Sequence, residues 1–516
     1  MTSYSTFAND HASSAAQNRM SRTRRRVGKD AGFAGQASVI SSVVNLLNTI
    51  VGAGTLTMPA VVSHMGIMLG VILVLWSGLT SGFGLYLQSR CARYLDRGTA
   101  SFFSLSQLTY PNASVIFDLA IAVKCFGVGV SYMIIIGDLM PGVMLGFNKH
   151  TDTVPYLVDR NFWITAFMLL VIPLSFLRRL DSLKYTSIIA LISIGYLIIL
   201  VIYHFAVDPH ADPSQIRVIE WGGAVQTLST LPVVVFAYTC HQNMFSILNE
   251  LKDNSPGNVV SMIASSIGSA ASIYVLVAIT GYITFGNDVK ANIIMMYRTS
   301  VGSTIGKAAI VILVLFSVPL QVHPCRASLD AVLKWRPNRA TQTGHRRTVS
   351  LPTPTRGDHG STAPMSDTRF AVLTTIILTL AYITALSVSS LDRVLAFVGS
   401  TGSTSISFIL PGLFYYKISD PESPHSQRLL KDDDADEEES SDVEDAAPLT
   451  QGAEAADSSS EPVVARNTWR WRRKWRWDLE HIDDAVLRKM ALGLAIYGMI
   501  VMVVCLFMNL FFTVSH

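Results

Sequence analysis

The stretch that decides the fold is Asn48-Thr49-Ile50-Val51-Gly52-Ala53-Gly54-Thr55-Leu56-Thr57-Met58-Pro59. It sits within a run from 31 to 89 that contains no Asp, Glu, Lys or Arg. Glycine in a helix interior costs about 1 kcal/mol relative to alanine, so glycines at i and i+2, followed by a proline, invite a break. Unwound backbone at mid-membrane is tolerated only where it is buried in protein or lines a cavity. There its free N–H groups and the positive end of the following half-helix can hold a carboxylate, while freed carbonyls can hold a cation. Close helix packing through small residues is the other reading that the spacing allows.

Working outward, the 516 residues are 50% hydrophobic and only 15% charged, against about 25% charged in soluble domains. Charge is missing in blocks long enough for helices of roughly 20 residues to cross the hydrocarbon. The 31–89 run divides at Pro59 and Gly66 into spans near 37–60 and 66–89. Further spans are expected at 115–145, 161–178, 185–207, 224–249, 259–285, 303–325, 370–391, 394–416 and 487–513, about eleven in all. The chain therefore reads as an all-α polytopic membrane protein. Its five cysteines lie in or beside apolar runs, so neither a disulfide framework nor a zinc site is expected. Without a Walker loop, an HExxH pair or a nucleophile elbow, no enzyme class finds a foothold.

With the N-terminus inside, the inside segments carry 32 basic residues and the outside segments 7. The positive-inside rule then places the N-terminus in the cytosol and the C-terminus on the opposite face. The sequon Asn112-Ala113-Ser114 falls inside and is expected to stay unglycosylated. Residues 1–36 read as a disordered basic cytosolic tail, and 326–369 as a disordered cytosolic loop. The 417–485 loop carries ten acids between Asp432 and Asp445, then Trp469, Trp471, Trp475 and Trp477 interleaved with arginines and a lysine. That cluster suits lipid headgroups rather than nucleic acid, and 1–36 and 417–485 are candidate docking segments for cytosolic regulators. Residues 486–516 hold the last span and a short terminus.

In the sixth span Pro232 removes a helix donor, and Phe236-Ala237-Tyr238-Thr239-Cys240-His241-Gln242-Asn243 forms a polar island in an apolar run. Desolvating such side chains in hydrocarbon is costly, so they should face a cavity or each other. If 37–207 and 224–416 are two halves, the interruptions in spans 1 and 6 occupy matching places, the best sequence pointer to a transporter's binding site.

The string Asn48 to Pro59 resembles the first-helix motif of the amino acid/auxin permease family, which includes sodium-coupled neutral amino-acid transporters and fungal vacuolar amino-acid transporters. Gly129 to Asp138, Phe236 to His241, Phe316 to Pro319 and Pro324-Cys325-Arg326 are similar to further motifs of that family. The resemblance implies a LeuT-type fold, a 5+5 inverted repeat plus one extra helix. It also implies secondary active transport of free neutral or acidic amino acids by alternating access, coupled to H+ or Na+, in a vacuolar or lysosome-like membrane with export to the cytosol. An amino-acid sensor signalling through cytosolic segments is the alternative. No cofactor is implied.

Carried over by residue, the resemblance puts the substrate carboxylate at the backbone of Gly52, Ala53, Gly54 and Thr55. The ammonium falls near Phe236, Ala237 and Tyr238, and selectivity at Thr239, His241, Gln242 and Asn243. Asn48 and Ser317 match sodium-holding positions; an interhelical hydrogen bond and a bond from Ser317 to its own i−4 carbonyl are the alternatives. His241 is a candidate proton responder or a buried neutral imidazole. Lys124 either snorkels, pairs with Asp118 or joins the cation site, and Asp138 reads as an interhelical acceptor.

Overall fold

A computed structural model describes residues 35–95, 97–148, 153–177, 184–334, 365–423, 427 and 484–511. The tail at 1–34, the acids from Asp432 to Asp445 and the Trp/Arg cluster at 469–477 lie outside the described residues. The first crossing is two helices, α1 (Val39–Ile50) and α2 (Ala53–Met65), bent by 55°. There follow α3 (Ile67–Ala92), a short α4 (Phe102–Thr109), α5 (Ser114–Phe147), α6 (Arg160–Ser175) and α7 (Lys184–Val207). The second half opens with α8 (Ala224–Ala237) and α9 (His241–Glu250), then α10 (Pro256–Phe285), α11 (Val301–Lys334) and α12 (Asp367–Ser387). The tenth crossing runs from α13 (Leu391–Val398) to α14 (Leu410–Ile418), and α15 (Asp484–Phe511) closes the bundle.

Among the described residues nine helical segments are long and apolar enough to cross a membrane, and the bent first pair makes a tenth. The fourth expected span is the 16-residue α6, short of the roughly 20 residues that a full crossing needs, so the expected eleven is not reached by length. One further expectation is corrected. Residues 326–334, read from composition as the start of a disordered loop, continue α11 to Lys334. Arg326 is held by the Thr374 hydroxyl at 2.8 Å and lies over the Phe370 ring, and Asp330 pairs with Lys334 and Arg369. The tenth crossing widens into π-helix over Gly399–Ser403 and Ser405–Ile409. The Thr404 hydroxyl donates to the Gly399 carbonyl five residues back, matching the wider turn.

Burial separates the helices into an inner set and a lipid-facing set. Every residue of α2 except His64 is buried, whereas α3 exposes Ile72, Leu75 and Leu79, α7 exposes Ile192 and Ile199, and α15 exposes Ile500, Val503 and Phe507. Such apolar stripes cost nothing when they face hydrocarbon, and association between the helices rests on packing and interhelical hydrogen bonds. The most extensive helix pairing is between α5 and α11. At the N-terminal end of the bundle the Ala37 N–H donates to the Glu250 carbonyl, and the Lys252 N–H donates to that of Ala37. The start of the first crossing and the end of α9 therefore lie at the same end of the bundle.

Glycines set how closely the inner helices approach. A Cβ on Gly84 would fall on the Ser407 carbonyl oxygen and 2.9 Å from His241 Nε2, whereas one on Gly129 would meet nothing within 4 Å. Overpacking of this kind costs about 1–3 kcal/mol. Gly84→Ala should therefore lower the thermal midpoint of the detergent-purified protein by several degrees. Gly129→Ala should leave it unchanged or raise it, and equal midpoints for the two variants would contradict the packing of α3 on the tenth crossing.

Candidate functional site

The two interruptions expected from sequence lie side by side. At the first, the N–H groups of Gly52, Ala53 and Gly54 have no backbone acceptor among the described residues, and α2 begins after Gly52 without a side-chain cap. At the second, helix is lost over Tyr238–Cys240, and α9 also begins without a side-chain cap. The second break bends the chain less: 224–250 still forms one continuous crossing. The breaks meet at Gly54, where a Cβ would lie 2.6 Å from the Ala237 Cβ. Only glycine permits that contact, because the neighbour is at the end of α8 and cannot rotate away.

Tyr274 of α10 ties the broken ends together. Its hydroxyl oxygen lies 2.7 Å from the carbonyl of Ile50, the last residue of α1, and 2.7 Å from that of Ala237, the last residue of α8. A phenol carries one proton, so it donates to one carbonyl at a time. The Tyr238 ring packs edge-on against Tyr274 at 5.1 Å between centroids.

Around the breaks lies a cavity of about 650 Å³. It extends along α1 toward Asn45, and along α9 and α11 toward Glu250 and Pro324, the N-terminal end of the bundle. Of the residues singled out from sequence, Gly52, Ala53, Gly54, Phe236, Ala237, Thr239, Gln242, Asn243, Asn48 and Ser317 line it, and Lys124 does as well. Thr55, Tyr238 and His241 do not: each is buried in helix packing. His241 turns toward α3, where Nε2 lies 3.1 Å from the Ser81 carbonyl and so donates to it as Nε2–H.

The polar groups in the cavity are incompletely partnered. Asn243 Nδ2 donates to the Thr49 hydroxyl at 3.1 Å, joining α9 to α1. Among the described residues, Asn48 Oδ1, Gln242 Oε1 and Gln321 Oε1 have no hydrogen-bond partner. Ser317 donates to the Leu313 carbonyl at 2.8 Å, the local bond expected of a helical serine. That uses its proton and leaves its lone pairs free to face a cation. Asp138 accepts from Arg160 Nε at 3.0 Å, an interhelical pair.

Sequence reasoning missed Tyr274 at the breaks and Gln321 in the cavity wall. Tyr274 lies in an apolar run with nothing to mark it, while Gln321 stands four residues after Ser317, on the same helical face. Tyr132, which also lines the cavity, was within a quoted motif without an assigned role.

Removing the Tyr274 hydroxyl strands buried carbonyls, at about 1–3 kcal/mol for each orphaned group. Tyr274→Phe should lower the thermal midpoint by more than Tyr86→Phe, whose ring is only half-buried on α3. A Tyr274→Phe midpoint equal to that of the unsubstituted protein would remove the tie between the breaks.

The family described as "Transmembrane amino acid transporter protein" matches residues 35–434. The chain is 40% identical over 479 residues to "Vacuolar amino acid transporter 5" of Schizosaccharomyces pombe, covering 92% of this chain and 95% of that one. It is 42% identical to "Vacuolar amino acid transporter 6" of Saccharomyces cerevisiae, covering 74% and 90%. The solved structure of MhsT in complex with L-phenylalanine has a TM-score of 0.52 at 14% identity, covering 91% of this chain and all (100%) of that one. That likeness is one of fold, and it makes the architecture LeuT-type. The chain belongs to the transmembrane amino acid transporter family, the amino acid/auxin permeases whose motifs its first, third, sixth and eighth crossings carry.

Proposed function

We propose that the chain is a secondary active transporter of free amino acids, neutral or acidic, in a vacuolar or lysosome-like membrane. It works by alternating access and delivers its substrate to the cytosol. The observation that carries this reading is the meeting of two uncapped helix breaks on one cavity of about 650 Å³. At the first break the N–H groups of Gly52 to Gly54 receive the α-carboxylate, helped by the positive end of α2. The ammonium donates to carbonyls freed at Ile50 and Ala237, both of which line the cavity. Phe236, Thr239, Gln242 and Asn243 shape the space for the side chain.

The basic-residue asymmetry places the N-terminus in the cytosol and the C-terminus in the lumen. The cavity, extending toward the N-terminal end, then faces the cytosol, as suits release on that side. Coupling is to H+ or Na+. Asn48 Oδ1, unpartnered, and the Ser317 lone pairs are the groups that a sodium ion would use. His241 donates to a carbonyl away from the cavity, so a role for it in proton coupling would act through α3.

A second reading, a sensor of amino acids, is favoured by one contact. Ala37 is tied to Glu250 and Lys252 at the end of α9, so a movement of the broken helix would be passed to the backbone that leads into the first crossing. The loop at 417–485 is the other candidate surface for cytosolic regulators.

Reconstitution into liposomes tests both readings. With an imposed pH gradient, sodium present or replaced by choline, a transporter accumulates radiolabelled amino acid, whereas a sensor binds it without flux. Gly54→Val, by wedging α2 from α8, should reduce binding at least tenfold while the protein stays inserted and monodisperse. Binding at full affinity in that variant would remove the broken-helix site.

A further inference from the structure

The central cavity occupies one side of the second break, and behind the break lies another polar region. Ser77, Ser81, Gly84 and Gln88 share one face of α3, and that face looks onto α9. The Ser81 carbonyl accepts from His241 Nε2–H at 3.1 Å, and Gln88 Nε2 donates to the His241 carbonyl at 3.4 Å. Gly84 admits both the His241 ring and the Ser407 carbonyl, and a Cβ on Gly78 would lie 3.2 Å from the Tyr238 hydroxyl. α3, the start of α9 and the tenth crossing therefore enclose a seam that begins at Tyr238 and ends at Gln88.

Five polar atoms along it have no hydrogen-bond partner among the described residues: Ser77 Oγ, Ser81 Oγ, Gln88 Oε1, the Tyr238 hydroxyl and His241 Nδ1. All five side chains are completely buried. Orphaned polar groups are rare in a folded interior and costlier still in a bilayer. A row of them on one face is what buried water joins, each molecule making about three hydrogen bonds to such groups. From Ser77 to Gln88 the row spans about 16 Å at 1.5 Å per residue, and Gln88 stands one turn from the end of α3 at Ala92. Arg97, just beyond, donates to the carbonyls of Leu251 and Lys252 after α9. The seam thus runs toward the same end of the bundle as the central cavity, behind α9 rather than in front of it.

His241 is the group in the seam that can carry a proton near neutral pH. Its Nε2 already bears hydrogen, so the free lone pair is on Nδ1. An imidazolium inside a bilayer needs water or hydroxyls around it, and the seam offers both. α3 presents Ser81, Gly84 and Gln88 to the ring, the tenth crossing presents Ser407, and the break presents Tyr238 and Cys240, none of them charged. Among the described residues the charged group that acts on His241 is Lys124. That lysine is buried in α5 rather than snorkelling to the headgroups, and Asp118 does not pair with it. Like charges repel, so His241 rests neutral and holds a proton only in passing.

We propose that the seam holds a chain of water molecules that carries protons between His241 Nδ1 and the end of the bundle near Gln88, so that the coupling proton and the amino acid use opposite sides of the second break. This rests on the transport reading, with the proton as its coupling ion. The proton is taken up on Nδ1 from a seam water and returns to the chain from the same atom, while Nε2–H stays on the Ser81 carbonyl. The two sides meet at Thr239, which lines the cavity and accepts from the Ser407 hydroxyl at 3.3 Å. A shift of the break on substrate binding therefore moves both.

The full chain in nanodiscs tests the water, and proteoliposomes test the proton. In X-ray hydroxyl-radical footprinting Tyr238 and His241 should be labelled, because the radicals form on water beside them. Phe414, equally buried but packed against the rings of Phe102 and Phe117, should not be. In liposomes loaded with pyranine, each of the common L-amino acids is offered in turn, and one that is carried should bring protons with it. His241→Gln should cut that proton movement by about a hundredfold, the lower end of what loss of a positioned proton-transfer group costs. Ser81→Ala combined with Gln88→Leu, which keeps the imidazole, should cut it severalfold and leave equilibrium binding of the same amino acid unchanged. Absence of label on Tyr238 and His241 overturns the water chain. Full proton movement in both variants overturns the path, as does sodium-driven uptake without protons, which leaves the transport reading standing. If no amino acid is carried, the transport reading fails on its own. The footprint and a pH titration of the His241 ring nitrogens by NMR then decide the seam, and a dry or non-titrating ring overturns it.

Discussion

Backbone polarity in hydrocarbon is the constraint on which this architecture depends. Each freed N–H or carbonyl inside a bilayer costs several kcal/mol unless something pairs with it, so two interrupted helices can exist only where they complete one another. Here Gly54 lets α2 touch α8 at Ala237, and the Tyr274 hydroxyl sits between the last carbonyls of α1 and α8. Pulling the first and sixth crossings apart would strand both sets of groups. The helices that expose apolar stripes to lipid, such as α3, α7 and α15, contain no such interruption and form the wall around that pair.

The tenth crossing supports the same centre from the other side. It brings Gly399, Gly402 and Ser407 against three different neighbours. In the widened turn Gly399 seats on the Pro232 carbonyl, Gly402 on the α5 backbone at Ala120 and Lys124, and the Ser407 carbonyl on Gly84. Widened turns of this sort recur at functional positions because they re-aim side chains and free backbone groups. Here the Ser407 hydroxyl reaches the Thr239 hydroxyl at 3.3 Å, so the π segment contacts the edge of the second break directly.

The class of fold and the location of the breaks were legible because each rests on a local signal. Absence of charge over twenty residues marks a crossing, and glycine or proline beside a polar island marks an interruption. Gly52, Gly54, Phe236, Gln242 and Asn243 lie in stretches marked that way and line the cavity, as does Asn48, which the family resemblance singled out. What was illegible depends on orientation and on partners distant in sequence. His241 belongs to the polar island but points at the Ser81 carbonyl, because its ring leaves α9 on the side facing α3. Tyr274 gave no signal, since a tyrosine in an apolar helix is unremarkable until two carbonyls converge on its hydroxyl. The π-helical turn likewise gave no signal beyond the serine, threonine and glycine that crowd that stretch. Residues 326–334 were misread because an Arg and an Asp suggest a loop by composition, while Thr374, Phe370 and Arg369 of α12 supply their partners.

The single proton of Tyr274 links the static arrangement to movement. Two carbonyls at 2.7 Å compete for it, so at any moment one of them is an acceptor without a donor, beside a cavity lined by its own residue. Under the transport reading, an ammonium group arriving there supplies the missing donor. Occupied, both broken ends are satisfied together. Empty, the tie is incomplete and the cost of separating α1 from α8 is smaller. A ligand shifts a conformational equilibrium only by the difference in its interaction with the two states, and a bond made only while the breaks are in contact is such a difference. On that reading, the interruption also supplies the means by which occupancy biases the relative position of the two halves.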